Sequence, residues 1–491
     1  MRLKEILSFH PFAQQFSALY DIEINNLKMD SREINKGDLF VCISGFTVDG
    51  HDYVDEAVKN GAIVIVAERD IQANVPVVIV PDTVRFLAMA AAKFYQYPTN
   101  QVPLIGVTGT NGKTTVTYLL EQIFKYYGKK TGVIGTIQMK IGEDIFPVDN
   151  TTPDALFLQN TIRKMIDNGV EQVIMEVSSH ALDQGRVYGC DYNTAIFTNL
   201  TQDHLDYHDS MDDYLRAKSL LFAQLGSGYY SNNRKFAVIN HDDSACHKLI
   251  RSTAQKVITY GIENESMIMA KSISLTPTGT RFLLCTPNGN TEINSQLIGK
   301  FNVSNMLAAS AAALVNEVPL SVVKKALETI QGVTGRFELV THEQSFSVIV
   351  DYAHTPDSLE NVLTTIREFA QQKVYVVVGC GGDRDRTKRP LMAKIALKYA
   401  DEAIFTSDNP RTENPDVIIN DMISGLNNSG GKYQVIPDRR KAIYQAINQA
   451  TDQDIILIAG KGHETYQQIG HVKHHFDDRE VAKEALLMKE K

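Results

Sequence analysis

A glycine-rich segment, Gly106-Val-Thr-Gly-Thr-Asn-Gly-Lys-Thr-Thr115, follows a short apolar run and precedes a helical pattern. Glycines let backbone N–H groups approach phosphate oxygens, and a helix N-terminus adds a partial positive charge. Lys113 supplies a cation for the β- and γ-phosphates, and the Thr114 hydroxyl suits a Mg²⁺ ion bound to them. The segment therefore predicts a nucleotide phosphate site. Strict phosphate-loop spacing would place glycine at position 107, where this chain has valine.

Acidic and histidine residues follow two later apolar runs. Glu176 comes directly after Val173-Ile-Met175, where a carboxylate at a strand end can reach a metal on the phosphate loop, or can simply be solvated. The segment 197–208 is dense in Asp and His but lacks standard zinc spacing. His204 or His208 can bind a metal or phosphate, although the segment alone favours loop histidines bonded to backbone.

The elements that must position these residues fall into three segments. A chain of 491 residues is too long for one core, and about 150 residues per domain is a reasonable prior. The pattern of apolar runs predicts three α/β domains: a small N-terminal domain (1–100), a central ATPase-like parallel-sheet domain (101–334) and a C-terminal Rossmann-like domain (335–491).

The last segment repeats one pattern four times, an apolar strand candidate followed by a polar loop with glycine or proline. The loops are 351–356, 379–385, 407–411 and 460–464. Ligands of open α/β sheets bind at the carboxyl ends of the strands. These loops are therefore expected to converge on one site.

Bulk composition limits the possible partners. The net charge of -9 gives no diffuse attraction to nucleic acid or an anionic membrane, so neither partner is expected. The five cysteines include no Cys-x-x-Cys pair, which favours a reducing compartment. No signal-length apolar stretch or run of 18 apolar residues occurs, so a cytoplasmic protein is predicted, and we expect a monomer.

The combination of motifs resembles the Mur ligase family over essentially the whole chain. The segments that carry the resemblance are Asp30-Ser-Arg32 with Gly37-Asp-Leu-Phe40, Gly109-Thr-Asn-Gly-Lys-Thr-Thr115, Asn150-Thr-Thr-Pro153, Glu176-Val-Ser-Ser-His180, 199–208, Gly299-Lys-Phe-Asn-Val-Ser-Asn305, Gly335-Arg336, Asp351-Tyr-Ala-His354, Asp408-Asn-Pro-Arg411 and Gly460-Lys-Gly-His-Glu464. The most similar members add the third peptide residue to the bacterial cell-wall precursor UDP-N-acetylmuramoyl-L-alanyl-D-glutamate.

The resemblance implies ATP-dependent amide-bond formation through an acyl phosphate, with Mg²⁺ as cofactor. It assigns Lys113, Glu176, His204 and Lys218 as catalytic residues, and it makes Lys218 a carbamate. A lysine ammonium would repel Mg²⁺, whereas a carbamate offers it an anionic oxygen. The implied metal ligands are Thr114, Glu176, His204 and the carbamate of Lys218.

The resemblance also implies three groups of binding residues. The ATP group is Gly109, Thr110, Asn111, Gly112, Lys113, Thr114, Thr115, Asn305, Arg336 and Asp351. The UDP-muramoyl-dipeptide group is Ser31, Thr151, Thr152, Ser178, Gln184 and Arg186. The amino-acid group is Arg384, Asp408, Asn409, Pro410, Arg411, Gly460 and Glu464.

Arg411 indicates which amino acid is added. L-lysine and meso-diaminopimelate differ by a carboxylate at the far end, and an Arg fork pairs with a carboxylate bidentately. Family members that use L-lysine typically lack this arginine, so meso-diaminopimelate is predicted. The run Glu413-Asn-Pro415 departs from the frequent Glu-Asp-Pro, which puts a contact beside Arg411 in question.

Other functions remain as alternatives. One alternative is the same ligase reaction with L-lysine in place of meso-diaminopimelate. A folylpolyglutamate synthetase or the ligase that adds D-alanyl-D-alanine would share the phosphate loop and Lys218, but not the segment 408–411. A nucleotide-dependent regulatory protein on the same fold belongs to a different class.

Overall fold

The computed structural model describes the whole chain except residues 11–12, 46–47, 149, 230–233, 277–278, 425, 427–431 and 490–491. The described strands form three successive sheets and one two-stranded hairpin. Each sheet packs its buried apolar residues against its own helices. The predicted three-domain α/β architecture is confirmed.

The N-terminal sheet has four parallel strands in sequential order. They are β1 (Leu27–Lys28), β2 (Asp38–Val41), β3 (Ala62–Ala67) and β4 (Val77–Ile79). The accompanying helices are α1 (Leu3–Ile6), α2 (Val54–Asn60) and α3 (Thr83–Phe94), with short 3₁₀ segments at Leu7–Phe9, Ala13–Leu19, Ser31–Glu33, Gly50–Tyr53 and Pro98–Asn100.

The central sheet contains eleven strands. In chain order they are β5 (Leu104–Thr108), β6 (Thr131–Ile134), β7 (Met139–Ile141), β8 (Asp144–Phe146), β9 (Gln172–Glu176), β10 (Thr194–Phe197), β11 (Phe236–Asn240), β12 (Lys256–Gly261), β13 (Ile268–Thr276), β14 (Gly279–Thr286) and β15 (Gly289–Ser295). Across the sheet the order is β15-β14-β13-β12-β11-β10-β5-β9-β6-β7-β8. The strands from β13 to β6 are parallel, and the outer pairs at both edges are antiparallel.

Helices cover both faces of this sheet. One face carries α4 (Lys113–Tyr126), α9 (Lys300–Val315) and α10 (Leu320–Thr329). The other carries α5 (Ala155–Asp167), α6 (Ser179–Asp183), α7 (Met211–Ala223) and α8 (Cys246–Ile250). Small side chains on α9 are buried on every side, which explains why this helix has no polar face. Among the described residues, no helix is long and apolar enough to cross a membrane.

The C-terminal sheet has six strands in the order β16-β17-β21-β18-β19-β20. They are β16 (Glu338–Leu339), β17 (Ser347–Asp351), β18 (Val374–Val378), β19 (Glu402–Phe405), β20 (Lys432–Val435) and β21 (Ile455–Ala459), and only β16 is antiparallel. The helices are α11 (Pro356–Phe369), α12 (Lys388–Tyr399) and α13 (Pro415–Ile423) on one face, with α14 (Arg439–Gln449) and α15 (Asp478–Lys489) on the other. The hairpin strands are β22 (Tyr466–Ile469) and β23 (Val472–His475).

Parallel register aligns the strand ends that carry the candidate residues. In the central sheet, Val107 pairs with Glu176, and Thr108 pairs with Phe197. In the C-terminal sheet, Ala459 pairs with both Asp351 and Val378. Each sheet therefore presents its polar loops along one edge, as expected for open α/β sheets.

Candidate active site

The glycine-rich loop joins β5 to α4, as predicted. A Cβ atom on Gly109 would lie 1.8 Å from Thr198 Oγ1, and one on Gly112 would lie 2.4 Å from Asn305 Oδ1. Both positions also have left-handed φ angles, +146° and +87°, which favour glycine. Val107 is buried inside strand β5, before the turn begins. The loop therefore forms without a glycine at that position.

Lys113 opens α4 and folds back across this loop. Its Nζ donates to the carbonyl oxygens of Gly109 and Thr110, each at 2.8 Å. Burial lowers the pKa of Lys113, while the charges of Glu176 and Asp203 oppose that shift. The Lys113 side chain and the N-terminus of α4 thus lie together, and both attract an anion such as a phosphate.

Glu176 ends β9 beside the first turn of α4. Its Oε2 accepts hydrogen bonds from Thr114 Oγ1 at 3.1 Å and Thr136 Oγ1 at 2.9 Å, and Oε1 accepts from the Thr136 backbone N–H at 2.9 Å. The carboxylate is 1% exposed. A buried carboxylate and a hydroxyl beside a phosphate loop fit Mg²⁺, which prefers oxygen ligands and retains several waters. Within the described residues, no three His, Cys, Asp or Glu side chains form a preassembled metal centre.

His204 lies at the same edge, after β10, in a left-handed conformation with φ of +57°. Its Nε2 is 3.4 Å from Asp203 Oδ2, and burial lowers its pKa to about 3. Asp203 is also 3.5 Å from Lys388 and 3.7 Å from His354 of the C-terminal domain. Burial raises the pKa of Asp203, but these neighbours outweigh it and hold that pKa well below the usual value.

His208 has a different environment from His204. It is 1% exposed, and its Nε2 is 3.0 Å from Ser179 Oγ while its Nδ1 is 3.2 Å from Asp213 Oδ2. Its side chain does not line the cleft around the phosphate loop. His208 therefore anchors the loop through contacts with two side chains. The non-metal interpretation also expected a loop histidine, but one bonded to the backbone.

Lys218 projects from α7 into the underside of the phosphate loop. Its Nζ donates to Gly109 O at 2.9 Å and lies 4.2 Å from the centre of the Tyr214 ring. The residue is 1% exposed, and no carboxylate of the described residues lies within ion-pair distance of it, although the charge of Asp203 acts on it from farther away. Burial holds the pKa of Lys218 well below its usual value, and repulsion from Lys113 adds to this effect. Lys218 is thus not a surface lysine.

The C-terminal domain completes the cleft. Arg336 donates from Nη2 to Thr114 Oγ1 at 3.1 Å and stacks 4.5 Å from the Tyr352 ring. Asp351 accepts a hydrogen bond from the Phe337 backbone N–H at 2.7 Å, and burial raises its pKa.

A second pocket adjoins the phosphate loop at the domain junction. Asn305 lines it together with Gly112, Thr115, Arg336 and Asp351. Asn111 Nδ2 donates to Asp357 Oδ2 at 2.9 Å across the same junction. All the predicted ATP residues are thus brought to one stretch of the cleft.

Hydroxyl groups and one arginine line the opposite side of the cleft. Thr152 Oγ1 donates to Glu176 O at 2.9 Å and accepts from the Ser178 N–H at 3.0 Å. Arg186 Nη1 donates to Thr152 O at 3.1 Å, and Thr151 Oγ1 is 3.1 Å from Thr136 Oγ1. Arg384 of the C-terminal domain faces them across the cleft.

Two residues of the predicted UDP-muramoyl-dipeptide group do not line this cleft. Ser31 lies in the N-terminal domain, where its hydroxyl donates to Glu56 Oε2 at 2.8 Å. Gln184 follows α6 as its C-cap, with its backbone N–H bonded to His180 O at 2.8 Å. A long ligand would be needed to contact Ser31 and the cleft together.

The predicted amino-acid residues cluster at the carboxyl ends of the C-terminal strands. Asn409 Nδ2 donates to Glu464 Oε2 at 2.8 Å. Arg411 has a left-handed φ of +49°, and its Nη1 donates to Gly382 O at 2.8 Å. A Cβ atom on Gly381 would lie 2.8 Å from Arg411 Nη1 and 3.8 Å from Arg384 Cγ. Two guanidinium side chains therefore flank one glycine.

Close backbone packing builds the floor of this cluster. Gly460 has φ of +116°, and a Cβ atom there would lie 2.6 Å from Asp408 Oδ2. A Cβ atom on Gly382 would lie 1.9 Å from Pro410 O. The side chain of Asn414, the departure from the family pattern, caps α13 by accepting the Asp416 N–H at 2.9 Å. Asparagine thus serves as an N-cap at this position.

Sequence reasoning missed several residues of the site. Asp203, Tyr352 and His354 line the cleft, and Asp357 lines the adjoining pocket. Lys461 is fully buried against Asn409 and Glu464. Most of these residues lie within segments that the sequence had already singled out, but side-chain direction was needed to select them.

The three-domain fold and the phosphate loop at the domain junction are those of an ATP-dependent ligase. Comparison with protein families gives three matches: "Mur ligase family, catalytic domain" at residues 23–95, "Mur ligase middle domain" at 107–313 and "Mur ligase, glutamate ligase domain" at 335–462. Together they span most of the chain. The chain belongs to the Mur ligase family, and the predicted enzyme class, an amide-bond-forming ligase, is confirmed.

Three similar proteins share one name. A UDP-N-acetylmuramoyl-L-alanyl-D-glutamate--2,6-diaminopimelate ligase from Oceanobacillus iheyensis is 62% identical over 491 residues, covering 100% of both chains. The protein of that name from Listeria monocytogenes is 52% identical over 490 residues, covering 100% of this chain and 99% of its own. A solved structure with the same name has a TM-score of 0.71 at 33% identity, covering 100% of this chain and 99% of its own.

Proposed function

We propose that this protein uses ATP to join meso-diaminopimelate to UDP-N-acetylmuramoyl-L-alanyl-D-glutamate in peptidoglycan precursor synthesis. The observation that carries the choice of amino acid is the pair Arg384 and Arg411 around Gly381, beside Asn409, whose side chain is bonded to the Glu464 carboxylate. Arginine forks suit carboxylates, and a carboxylate suits an ammonium. The names of relatives at 52–62% identity support the same reaction.

The reaction has two chemical steps. A carboxylate oxygen of the D-glutamate residue attacks the γ-phosphorus of ATP, the bond to the β-phosphate oxygen breaks, and ADP leaves. The amine of the incoming amino acid then attacks the carbonyl carbon of the acyl phosphate. Inorganic phosphate leaves with the bonding electrons, and the nitrogen loses a proton to give the amide.

The phosphate loop and its neighbours would position the γ-phosphate. Lys113 and the backbone N–H groups at the start of α4 would face the phosphates, and Arg336 reaches Thr114 from the C-terminal domain. Mg²⁺ held by Thr114 and Glu176, with His204 close by, would neutralise charge on the β- and γ-phosphates. Asn305 would contact adenine, and Asp351 would contact ribose.

Lys218 is proposed to carry a carbamate. Its neutral amine would attack the carbon of CO₂ and lose one proton, leaving an anionic oxygen beside the phosphate loop. Burial without a carboxylate partner supports this role, because an unpaired buried ammonium is unfavourable. The carbamate would extend the oxygen donor set for the metal.

The UDP-linked substrate would span two domains. Its uridine end would lie near Ser31, and its muramoyl-peptide end near Thr151, Thr152 and Ser178, with Arg186 facing an anionic group. Gln184, at the end of α6, would contact the same muramoyl-peptide end. The protein is also proposed to act as a monomer in the cytoplasm.

Phosphate release tests the proposal directly. The assay contains ATP, Mg²⁺ and UDP-N-acetylmuramoyl-L-alanyl-D-glutamate, and it compares meso-diaminopimelate with L-lysine. We expect release that depends on meso-diaminopimelate, with the tripeptide product verified by mass spectrometry. Release without any amino acid would contradict ligation, and equal kcat/KM for both amino acids would contradict only the proposed selectivity.

A further inference from the structure

A fully buried lysine lies behind the proposed amino-acid site. The Lys461 side chain has 0% exposure, and its Nζ is 3.1 Å from Asn409 Oδ1 and 3.1 Å from Glu464 Oε2. Asn409 Nδ2 also donates to Glu464 Oε2 at 2.8 Å. Each of the three side chains is therefore hydrogen-bonded to the other two.

This arrangement leaves one oxygen of Glu464 for a ligand. Oε2 accepts from both Lys461 and Asn409, whereas no described residue donates a hydrogen bond to Oε1. The Glu464 side chain retains 14% exposure, so it is not fully enclosed by the protein. A carboxylate fixed through one oxygen presents the other in a defined direction.

Charged side chains surround the cluster. Asp408, Asp478 and Glu464 bring carboxylates, and the buried Lys461 and Arg439 bring an amine and a guanidinium; Arg439 is bonded to Asp478 at 2.8 and 2.7 Å and lies 4.0 Å from Asp408. Although burial raises the pKa of Asp408, Lys461 and Arg439 outweigh that effect and lower it, so Asp408 is ionised at neutral pH. Arg411 donates only to a carbonyl oxygen, Gly382 O, among the described residues. The three inner carboxylates therefore outnumber the two inner basic groups by one, and the outer guanidinium of Arg411 is available to a ligand.

We propose that Lys461 is a positioning residue for amino-acid recognition, which holds Glu464 and Asn409 so that Glu464 Oε1 meets an ammonium group of the incoming amino acid. The inference rests on the proposed ligase function. Lys461 acts through Glu464 and does not touch the substrate. It also prevents Glu464 and Asp408 from forming an uncompensated pair of buried negative charges.

The decisive variant is Lys461→Met, which keeps the chain length and removes the charge. The KM for meso-diaminopimelate should rise about 10- to 100-fold, the range expected when a buried hydrogen bond to a charged group is lost. kcat and the KM for ATP should change by less than about threefold, since neither reports on the amino-acid ground state. If the Met variant does not fold, Lys461→Gln takes its place. This variant keeps an amide donor without the charge, and it should also raise the KM for meso-diaminopimelate.

A double-mutant cycle separates positioning from general stability. In a Glu464→Gln background, adding Lys461→Met should change the KM for meso-diaminopimelate by less than about threefold, because the charge that Lys461 orients is already absent. Lys473→Met is the matched control. Lys473 is exposed and lies over the same Tyr466 ring, at 4.4 Å compared with 5.5 Å for Lys461.

The outcomes distinguish this inference from the function on which it rests. Wild-type protein that releases no phosphate with any amino acid overturns both. Active wild-type protein with an unchanged KM in folded Lys461→Met, or with equal effects of Lys461→Met in both backgrounds, overturns only the role of Lys461. A selective KM increase that disappears in the Glu464→Gln background supports it.

Discussion

Arg411→Asn is the most direct test of amino-acid selectivity. Arg411 has φ of +49°, a conformation that asparagine tolerates better than most residues. The substitution therefore removes the guanidinium with little added backbone strain. The backbone bonds that hold this residue, from its N–H to Gln468 O at 3.1 Å and from the Gly470 N–H to its carbonyl at 2.7 Å, do not depend on the side chain.

The structure allows the size of the effect to be worked out. The wild-type guanidinium has a carbonyl partner, Gly382 O at 2.8 Å, and no ion-pair partner among the described residues. Its charge is thus available to a ligand carboxylate. A hydrogen bond to a charged group contributes about 1.5–3 kcal/mol, or about 10- to 150-fold in binding. Arg384 remains nearby, so we expect the lower half of this range, about 10- to 40-fold.

The assay compares kcat/KM for meso-diaminopimelate and L-lysine in the same preparation. We expect the ratio to fall by that factor, chiefly through the KM for meso-diaminopimelate, while kcat/KM for L-lysine stays constant or rises. Arg386→Asn is the charge-matched control, because Arg386 is exposed and paired with Asp421 at 2.8 Å. Equal losses for both amino acids, or an unchanged ratio, would refute the pairing of Arg411 with the distal carboxylate.

Three further perturbations test other parts of the molecule. Glu176→Gln should lower kcat about a hundredfold or more with little change in the calorimetric Kd for the UDP substrate, and near-normal turnover would remove Glu176 from the metal site. Lys218→Ala should lose most turnover while ATP binding survives. With ¹³C-bicarbonate, only the wild type should give an NMR signal from a carbamate at this position. Unchanged turnover in the variant would exclude the carbamate from the mechanism. Arg439→Met should cost about 3–5 kcal/mol in urea unfolding, because it strands the buried carboxylate of Asp478, and Arg439→Met with Asp478→Leu should recover most of that loss.

Local motifs predicted the parts of the site that depend on short stretches of chain. The turn at 109–115 was predictable because glycine, lysine and threonine occupy consecutive positions between a strand and a helix. The four C-terminal loops were predictable because they follow buried runs, and parallel strands bring their carboxyl ends to one edge. The loops at each strand end followed from position alone, whereas side-chain direction was needed to select residues within them.

Contacts between distant segments were not predictable in this way. Lys218 reaches Gly109, which lies 109 residues earlier, and nothing in the sequence around α7 marks that lysine as buried. Asn111 and Asp357 are separated by 246 residues. The resemblance to known ligases identified Lys218, whereas Asp203 and Lys461 emerged only from side-chain geometry. Long-range pairing depends on how the sheets and domains pack, which local patterns do not encode.

The domain junction connects the two halves of the proposed reaction. Arg336 contacts Thr114 on the phosphate loop, and Asp203 contacts Lys388 at the start of α12. In the proposed reaction the phosphoryl acceptor would lie on the central domain, and the C-terminal domain would hold the amine. Attack of the amine on the acyl phosphate requires an approach to about 3–3.5 Å, so we expect the second chemical step to depend on the angle between these domains. Contacts at the junction would then affect catalysis even where they touch no reacting atom.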